Sequence, residues 1–283
     1  MCQRVSARIG SAPIIVAMTI RALYSDLDGT LLGPGGSLFS TTRGDPTLAA
    51  AEAILALQRA EVQLVLVSGR TQGQMSEMAR MLSASAYIAE MGALVVDRNV
   101  FPEETHRNFG GFAGKGTPFE RIVRSGAGAF LLDTYRGALE PHTPWSAQAR
   151  EATMLFRGQI DLDEARAGLA RAGYDWLELN DNGVILRKFQ TLVVPEVHAY
   201  HLVPKGVSKA TGVMRHLELS DIAPAEAAAV GDSDSDLEMA TTVGQMFITA
   251  NGRDTVGELP ANARFTRSPH GEGFAEVVEE LLH

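Results

Sequence analysis

The sequence predicts an α/β fold, with a Rossmann-like parallel sheet as the core and an inserted α+β cap. Short, continuous apolar runs end at Tyr24, Val67, Pro204 and Val230, and helical patterns separate them. Strands buried on both faces of a parallel sheet show such runs rather than strict alternation. A cluster of polar residues follows each run. Open parallel sheets place their active sites at the carboxyl ends of the strands, so the four clusters are predicted to meet at one edge.

The first cluster, Asp26-Leu27-Asp28-Gly29-Thr30, places two carboxylates two residues apart at the end of a strand. The chain turns at Gly29, so both acids can face one pocket. Two crowded acids need a cation, and Mg2+ prefers carboxylate and carbonyl oxygens. One carboxylate can attack phosphorus while the other handles a proton. The competing interpretation is a turn in which Asp and Gly serve only the backbone.

The other clusters are Ser68-Gly69-Arg70, Lys205-Gly206 and the alternating Asp and Ser residues of 232–236. Each has a plain structural explanation by itself. Ser-Gly suits a strand-to-helix turn, a single lysine is usually solvated, and acids favour a helix N-terminus. The four clusters together, and in order, favour a catalytic site.

A phosphoryl group in transfer spreads negative charge over three oxygens, which a site of aspartates would repel. Positive charge and backbone N–H groups must therefore make the electrostatic potential of the site favourable to the phosphoryl oxygens. Ser68 can donate a hydrogen bond, and Gly69 lets the backbone approach a phosphate oxygen. The residues predicted to contact the phosphoryl group are Leu27, Ser68, Gly69 and Lys205, and Arg70 is predicted to contact the leaving group.

In these motifs the chain resembles the haloacid dehalogenase superfamily, and specifically its Cof-type branch of sugar phosphatases with a type IIB cap. The resemblance covers the chain after Met18. It implies that Asp26 is the nucleophile and Asp28 the general acid and base. It also implies that Ser68 and Lys205 hold the transferring phosphoryl group.

The resemblance further implies a Mg2+ cofactor. Its ligands would be Asp26, the backbone carbonyl of Asp28 and Asp232, with Asp236 nearby, directly or through water. Ser235 is a departure from the pattern, because many relatives have Asn at this position.

The substrate implied by the resemblance is a phosphate monoester of a small metabolite, either a sugar phosphate or a glycosyl phosphoglycerate. The turn Glu90-Met91-Gly92-Ala93 is similar to the one in the mannosyl-3-phosphoglycerate phosphatase group. A phosphomannomutase-like phosphotransferase is the first alternative, and it would retain a phosphorylated product. A non-catalytic, phosphate-sensing regulator on the same fold is the second.

The chain is predicted to divide into an N-terminal extension, residues 1–17, and a core domain formed by 18–102 and 196–283. Alanine and leucine predict a core helix over 46–59. Methionine and alanine at helical spacing predict a second helix over 71–82.

Residues 103–195 are predicted to form the cap, an open-faced α+β lid over the catalytic edge. Thr117-Pro118-Phe119-Glu120 has the spacing of a capping box with proline at the first helical position. Asp161 is predicted to cap a second helix. Asn180-Asp181-Asn182-Gly183 lies between two apolar segments and predicts a β-hairpin.

Composition limits the partners. The chain has 283 residues, 45% of them hydrophobic, and a net charge of −9. That charge argues against nucleic acid or an anionic membrane as a partner, and the sequence has no apolar run of the ~18 residues that a membrane helix needs. Cys2 is the only cysteine, which suits a reducing cytoplasm. The expected partner is a small phosphorylated metabolite, and the oligomeric state is left open.

Overall fold

The computed structural model describes residues 20–185, 187 and 189–283. The predicted extension, residues 1–17, lies outside the described residues. The strands are β1 (Ala22–Asp26), β2 (Gln63–Val67), β3 (Ala86–Ala89), β4 (Leu94–Asp97), β5 (Glu104–Arg107), β6 (Leu139–Pro141), β7 (Met154–Gly158), β8 (Leu177–Val184), β9 (His198–Pro204), β10 (Ala227–Gly231), β11 (Gln245–Ile248) and β12 (Ala263–Phe265). The α-helices are α1 (Ala49–Arg59), α2 (Gln72–Met81), α3 (Pro118–Ser125), α4 (Ala127–Thr134), α5 (Leu162–Arg171), α6 (Lys209–Ser220), α7 (Asp234–Leu237) and α8 (His270–Leu282).

Eight strands form the large sheet, in the order β12-β11-β10-β1-β2-β3-β4-β5. The pairs from β12 to β3 are parallel, and the pairs β3–β4 and β4–β5 are antiparallel. The strand that carries Asp26 is therefore central, between β10 and β2.

Helices cover both faces of the large sheet. Leu23 and Leu66 point to the face where α1, α2 and α8 pack. Tyr24 follows Leu23 and Val65 precedes Leu66, so both point to the opposite face, where α6 packs. This alternation buries each strand on both sides, as the continuous apolar runs predict, and the predicted α/β fold class is confirmed.

The predicted helix starts are present. Thr71 accepts a hydrogen bond from the Gln74 N–H, and Thr117 and Glu120 form a reciprocal capping box. The Asp161 carboxylate accepts from the Glu164 N–H. None of the helices in the described part of the chain is both long enough and apolar enough to cross a bilayer.

A smaller antiparallel sheet, in the order β6-β7-β9-β8, forms the cap. Helices α3, α4 and α5 pack on one of its faces, where Ile122, Leu131 and Leu169 contact Phe156 and Tyr200. The other face lies against the large-sheet domain, where His201 contacts Gly69 and Asn182 accepts a hydrogen bond from Ser235 of α7. The cap is the open-faced α+β unit that the sequence predicts.

Two strands lie on the other side of the predicted cap boundaries. The run that ends at Pro204 is β9, which pairs with β7 and β8 in the cap sheet rather than with the core. Conversely, Glu104–Arg107 is β5, which extends the large sheet. An apolar run shows that a strand is buried, but it does not show which sheet the strand joins. The cap insertion therefore runs from about residue 108 to 205, instead of 103 to 195.

The hairpin predicted at Asn180-Asp181-Asn182-Gly183 is wrong. These residues lie inside β8, which continues to Val184 along β9 with a register shift between Asp181 and Val184. Gly183 has φ 94°, so its positive φ serves a strand irregularity rather than a reversal of the chain. Asn-Gly sequences supply the positive φ that bulges also use.

Candidate active site

The strand register brings three of the predicted motifs to one edge. Asp26, the last residue of β1, pairs with Val67, the last residue of β2. One residue earlier, Ser25 pairs with Val230 of β10. The loops that follow these three strands therefore leave the sheet side by side.

Gly29 allows two of these loops to touch. Its φ of 92° favours glycine, and a Cβ at this position would lie 2.2 Å from the Asp232 Oδ2 atom. Any side chain here would push the Asp232 carboxylate away from the turn.

Three carboxylates and one ammonium group form the buried centre of the site. The Lys209 Nζ atom donates to the Asp26 Oδ1 atom at 2.9 Å and to the Asp236 Oδ1 atom at 2.7 Å. Lys209 is 1% exposed and Asp26 is 4% exposed. One carboxylate oxygen from each of Asp26, Asp232 and Asp236 lies within 4.8 Å of those of the other two.

Burial sets the protonation tendencies of this centre. Burial, and then the charges of Asp236 and Asp232, raise the pKa of Asp26 well above its ordinary value, although Lys209 opposes the shift. Burial and Asp236 raise the pKa of Asp232 to about 7. Burial alone would lower the pKa of Lys209, but Asp236 and Asp26 outweigh it and raise that pKa. The centre has more negative charge than one lysine can neutralise.

The structure contradicts the prediction for Lys205. Its side chain is exposed, and its backbone pairs with the loops near Trp176 and Gly111 where β9 leaves the cap. Lys209, one turn further on, points into the site from the first residue of α6. Ser208 caps α6 together with Thr211, which fixes the direction of Lys209.

A signal for Lys209 is present in the sequence. Ser208 and Thr211 have capping-box spacing, which makes Lys209 the first helical residue. A cation is unfavourable at a helix N-terminus, so a lysine at this position needs acidic partners from elsewhere in the fold.

Asp28 lies at the rim and is held by Arg70. The Arg70 Nε atom donates to Asp28 Oδ2 at 2.8 Å, and Nη2 donates to Oδ1 at 2.6 Å. The Asp28 side chain remains 54% exposed, whereas Arg70 is 25% exposed. The prediction that Arg70 contacts the leaving group stays a prediction, as does the backbone carbonyl of Asp28 as a metal ligand.

Ser68 and Gly69 lie beside the nucleophile strand, as their place after β2 requires. The Ser68 side chain is 3% exposed, and its Oγ atom accepts from the Arg70 N–H at 3.3 Å. Leu27 is fully buried, and its carbonyl accepts from the Leu32 N–H at 2.8 Å. Their roles as phosphate contacts stay predictions.

Three polar residues that sequence reasoning did not select support the loop of Asp232. Thr30 donates to Asp232 Oδ1 at 2.9 Å. The Asn251 side-chain amide donates to the Gly29 carbonyl at 2.9 Å and lies 3.3 Å from Asp232 Oδ2. The His270 Nδ1 atom lies 2.8 Å from the same carbonyl. Asn251 follows β11, so it repeats the pattern of a polar residue after an apolar strand.

Asp236 works mainly as a support. Its Oδ2 atom accepts from the Ser233 N–H and hydroxyl at 3.1 and 2.7 Å, and its other oxygen binds Lys209. Ser235 donates to the Asn182 side-chain oxygen at 3.2 Å, which links the loop to β8 of the cap. The loop of residues 232–236 therefore carries a candidate metal ligand, a partner of Lys209 and a contact with the cap.

The turn at Glu90 connects the core to the cap. Glu90 has φ 50° and is 1% exposed. Its carboxylate accepts from the N–H groups of Glu151, Ala152 and Thr153 at 2.9, 2.9 and 3.0 Å. A buried carboxylate held by three N–H donors fixes the segment where the chain enters β7.

The donor set fits a divalent cation. Three carboxylates with one lysine leave surplus negative charge, and two of the three are buried. Burial first, and then the neighbouring carboxylates, raise the pKa values of Asp26 and Asp232, and a bound cation would favour their ionised forms. Oxygen ligands of this kind suit hard cations such as Mg2+. Asp26 and Asp232 would hold the ion, with Asp236 adjacent.

A family model described as haloacid dehalogenase-like hydrolase matches residues 23–106 and 182–278, which is more than half of the chain. The chain belongs to the haloacid dehalogenase-like hydrolases. The gap in the match falls within the cap insertion, so the matched residues are mainly those of the core that carries the carboxylates and Lys209.

Curated relatives agree with this assignment. A phosphoglycolate phosphatase from Methanoculleus marisnigri is 29% identical over 262 residues, covering 92% of this chain and 96% of its own. Phosphoglycolate phosphatase 1 from Saccharolobus solfataricus is 24% identical over 265 residues, with 93% and 96% covered. This haloacid dehalogenase-like hydrolase is therefore a phosphatase of the superfamily, acting on a small phosphorylated substrate.

The fold is that of the Cof-type branch, as the resemblance implies. The sucrose-phosphatase from Synechocystis sp. PCC6803 has a TM-score of 0.65 at 17% identity, with 93% of this chain and 98% of that chain covered. The likeness includes the cap as well as the core.

Proposed function

We propose that the protein is a Mg2+-dependent phosphatase that hydrolyses a small phosphate monoester through an aspartyl phosphate on Asp26. The observation that carries the proposal is the contact of the Asp26 carboxylate with the buried Lys209 ammonium at the carboxyl edge of the sheet. The carboxylates beside it provide ligands for the cation that the reaction needs.

In the first half-reaction an Asp26 carboxylate oxygen forms a bond to phosphorus, and the bond from phosphorus to the ester oxygen breaks. Asp28 gives its proton to the leaving alkoxide. Lys209 favours the ionised form of Asp26 and also provides positive charge near the transferring oxygens. Bound Mg2+ supplies further positive charge to the phosphoryl oxygens.

In the second half-reaction Asp28, now ionised, takes a proton from water. The water oxygen bonds to phosphorus, the acyl phosphate bond breaks, and Asp26 returns to its carboxylate form with release of inorganic phosphate. Arg70 controls the position of Asp28 through its two hydrogen bonds. The exposed rim position gives Asp28 access to both the leaving group and water.

We place phosphorylated hydroxy acids of the phosphoglycolate type ahead of sugar phosphates as the substrate. The curated relatives that cover most of this chain are named for phosphoglycolate. The sucrose-phosphatase, at 17% identity, supports the fold alone. Sugar phosphates and glycosyl phosphoglycerates stay predictions, and a cytoplasmic location is proposed from the single cysteine.

The test is release of inorganic phosphate from p-nitrophenyl phosphate and from a panel of phosphorylated metabolites, with Mg2+ and with a chelator. Release should require the cation. Acid quenching during turnover, followed by borohydride, should convert Asp26 to homoserine, because borohydride reduces an acyl phosphate.

A matched quench of Asp26→Asn should yield no homoserine at this position. Phosphate release that persists in excess chelator would exclude the metal requirement. A phosphorylated product without free phosphate would favour the phosphotransferase alternative, and no reaction with any ester would favour the regulator.

A further inference from the structure

A row of four side chains crosses the face of the cap sheet that lies against the large-sheet domain. The Leu155 residue of β7 pairs with His201 of β9, and His201 pairs with Asn180 of β8. On the other side of Leu155, the His142 N–H donates to its carbonyl directly after β6. Residues opposite one another in antiparallel strands point to the same face, so two histidines and an asparagine share this face.

This face lies against the loop of Ser68 and Gly69, which follows β2. A Cβ on Gly69 would lie 2.5 Å from the His201 Nε2 atom, so the imidazole ring contacts the Gly69 backbone. The Arg150 Nη1 atom donates to the Gly69 carbonyl at 3.1 Å and to Thr153 Oγ1 at 2.7 Å. Gly69 is two residues from Val67, which pairs with Asp26, so the row borders the predicted reaction centre on its cap side.

Three nitrogen atoms of this group are buried without a partner. Among the residues that the structure describes, Arg150 Nε, His142 Nδ1 and His201 Nδ1 have no hydrogen-bond partner. Arg150 is 7% exposed and His201 is 2% exposed. Buried polar groups are normally satisfied, so these three nitrogens leave hydrogen-bonding capacity for a ligand between the cap and the core.

The charge of Arg150 is compensated only indirectly, because Thr153 lies between its guanidinium and the buried Glu90 carboxylate. Arg157 lies on the same face and forms a salt bridge with Glu140 at 2.6 Å, whereas Arg150 forms no salt bridge with any described residue. Burial, and then the Arg150 charge, lower the pKa of His201. Burial, and then the charges of Arg157 and Arg150, lower the pKa of His142, although Glu140 opposes that shift. Positive charge therefore outweighs negative charge around these two imidazoles.

We propose that Arg150, His142 and His201 form an anion subsite that binds a carboxylate on the leaving group of the substrate. The inference rests on the proposed phosphatase function and deepens it, because it narrows the substrate to a phosphomonoester that carries a carboxylate. A guanidinium has only donors and a carboxylate has only acceptors, so the two are complementary. A neutral sugar hydroxyl could also accept from Arg150, but it would leave the guanidinium charge without an anionic partner.

Two substrates of equal length provide the test. In 2-hydroxyethyl phosphate, a CH2OH group replaces the carboxylate of 2-phosphoglycolate, and the phosphoryl chemistry is otherwise the same. The wild-type protein should favour 2-phosphoglycolate by about 100-fold in kcat/KM, because discrimination is strong where a site's buried polar groups lose their partner. p-Nitrophenyl phosphate reports the core chemistry independently.

Arg150→Gln should reduce kcat/KM for 2-phosphoglycolate by about 100-fold and leave 2-hydroxyethyl phosphate within a few-fold, so that the preference disappears. Arg157→Gln is the matched control, since it removes the same charge from the same sheet face but from a residue paired with Glu140. It should keep the preference.

If Arg150→Gln fails to fold, His142→Asn is the second variant, because His142 is partly exposed and less constrained. It should lower the preference about tenfold. Equal kcat/KM for the two substrates in the wild-type protein would overturn the subsite and leave the phosphatase intact. A preference that survives both Arg150→Gln and His142→Asn would overturn the assignment to these residues. No release from any ester would sink the proposed function, and the subsite with it.

Discussion

The core edge and the cap face bury opposite charges in different ways. In the core, Asp26 and Asp236 share the ammonium of Lys209, so much of their charge is balanced within the protein. In the cap, Arg150 and the neighbouring imidazoles form no salt bridge with a described residue, and the carboxylate nearest to Arg150 in its effect, Glu90, is held by three backbone N–H groups. The charged groups of the core are paired with one another, whereas three nitrogen atoms of the cap face remain without a hydrogen-bond partner in the described part of the chain.

We attribute this difference to two tasks: the core carries out the reaction, and the cap selects the substrate. Groups that react must be positioned before the substrate arrives, since reorganisation at the moment of reaction costs rate. Groups that select a substrate gain by remaining unsatisfied until the correct ligand binds, because an incorrect ligand then leaves them buried without a partner. Gly69 is the point where the two regions touch.

The largest effect is expected from Asp26→Asn, which removes one of the two carboxylates paired with Lys209 in the core. The variant keeps the shape but lacks the attacking oxygen charge, so kcat should fall roughly 10,000-fold or more. Circular dichroism should show an intact fold, because Lys209 still binds Asp236. Asp133→Asn, an exposed control on α4, should retain full activity. Near-normal turnover in Asp26→Asn would remove this residue from the nucleophile role.

The next effect distinguishes two lysines. Lys209→Met should lower kcat/KM about 1,000-fold and destabilise the fold by about 3 kcal/mol, since two buried carboxylates lose their cation. Lys205→Met should change both quantities little, because its side chain is exposed. Steady-state kinetics and urea denaturation of the two variants measure the difference. The reverse result would restore the sequence-based choice of Lys205.

A smaller effect is expected for Asp28→Asn, which lies between the two regions. The loss should be about 100- to 1,000-fold for alkyl phosphates, because general acid-base catalysis contributes on this scale. It should be smaller for p-nitrophenyl phosphate, whose leaving group needs less protonation. Equal losses in kcat/KM for the two ester classes would argue against Asp28 as the proton donor.

The smallest effect concerns stability rather than catalysis. His216 on α6 lies 2.8 Å from the Tyr24 hydroxyl on β1, so it joins the helix of Lys209 to the strand of Asp26. Burial lowers the pKa of His216 from 6.5 to about 4. The unfolded chain therefore binds more protons than the folded chain between these pH values, and stability falls as the pH drops from 6.5 to 4.

Urea denaturation at pH 7 and pH 5 tests this. The wild-type protein should lose about 2 kcal/mol more than His216→Gln between these two conditions, because the variant lacks the titrating group. The other histidines are common to both proteins and cancel in the comparison. An equal loss in both proteins would show that His216 is not buried in its neutral form.

The sequence by itself determined the features that depend on neighbours along the chain. Asp26-Leu27-Asp28-Gly29 marks a strand end and a turn, and both are present. The caps at Thr71, Thr117 and Asp161 are satisfied within three residues, so they could be predicted without the rest of the fold. The same holds for the parallel core, whose runs are apolar because both faces are covered.

Tertiary structure alone decided which distant residues meet. The run before Lys205 has the composition of a buried strand, yet it pairs with the cap, and the choice between Lys205 and Lys209 depends on where that strand ends and α6 begins. Asn182 could have formed a turn, but its strand continues along β9 and reaches Ser235. Pairing between distant strands depends on partners that no local pattern specifies. The approach of Arg150 and His201 to Gly69 likewise depends on how the cap packs against the core.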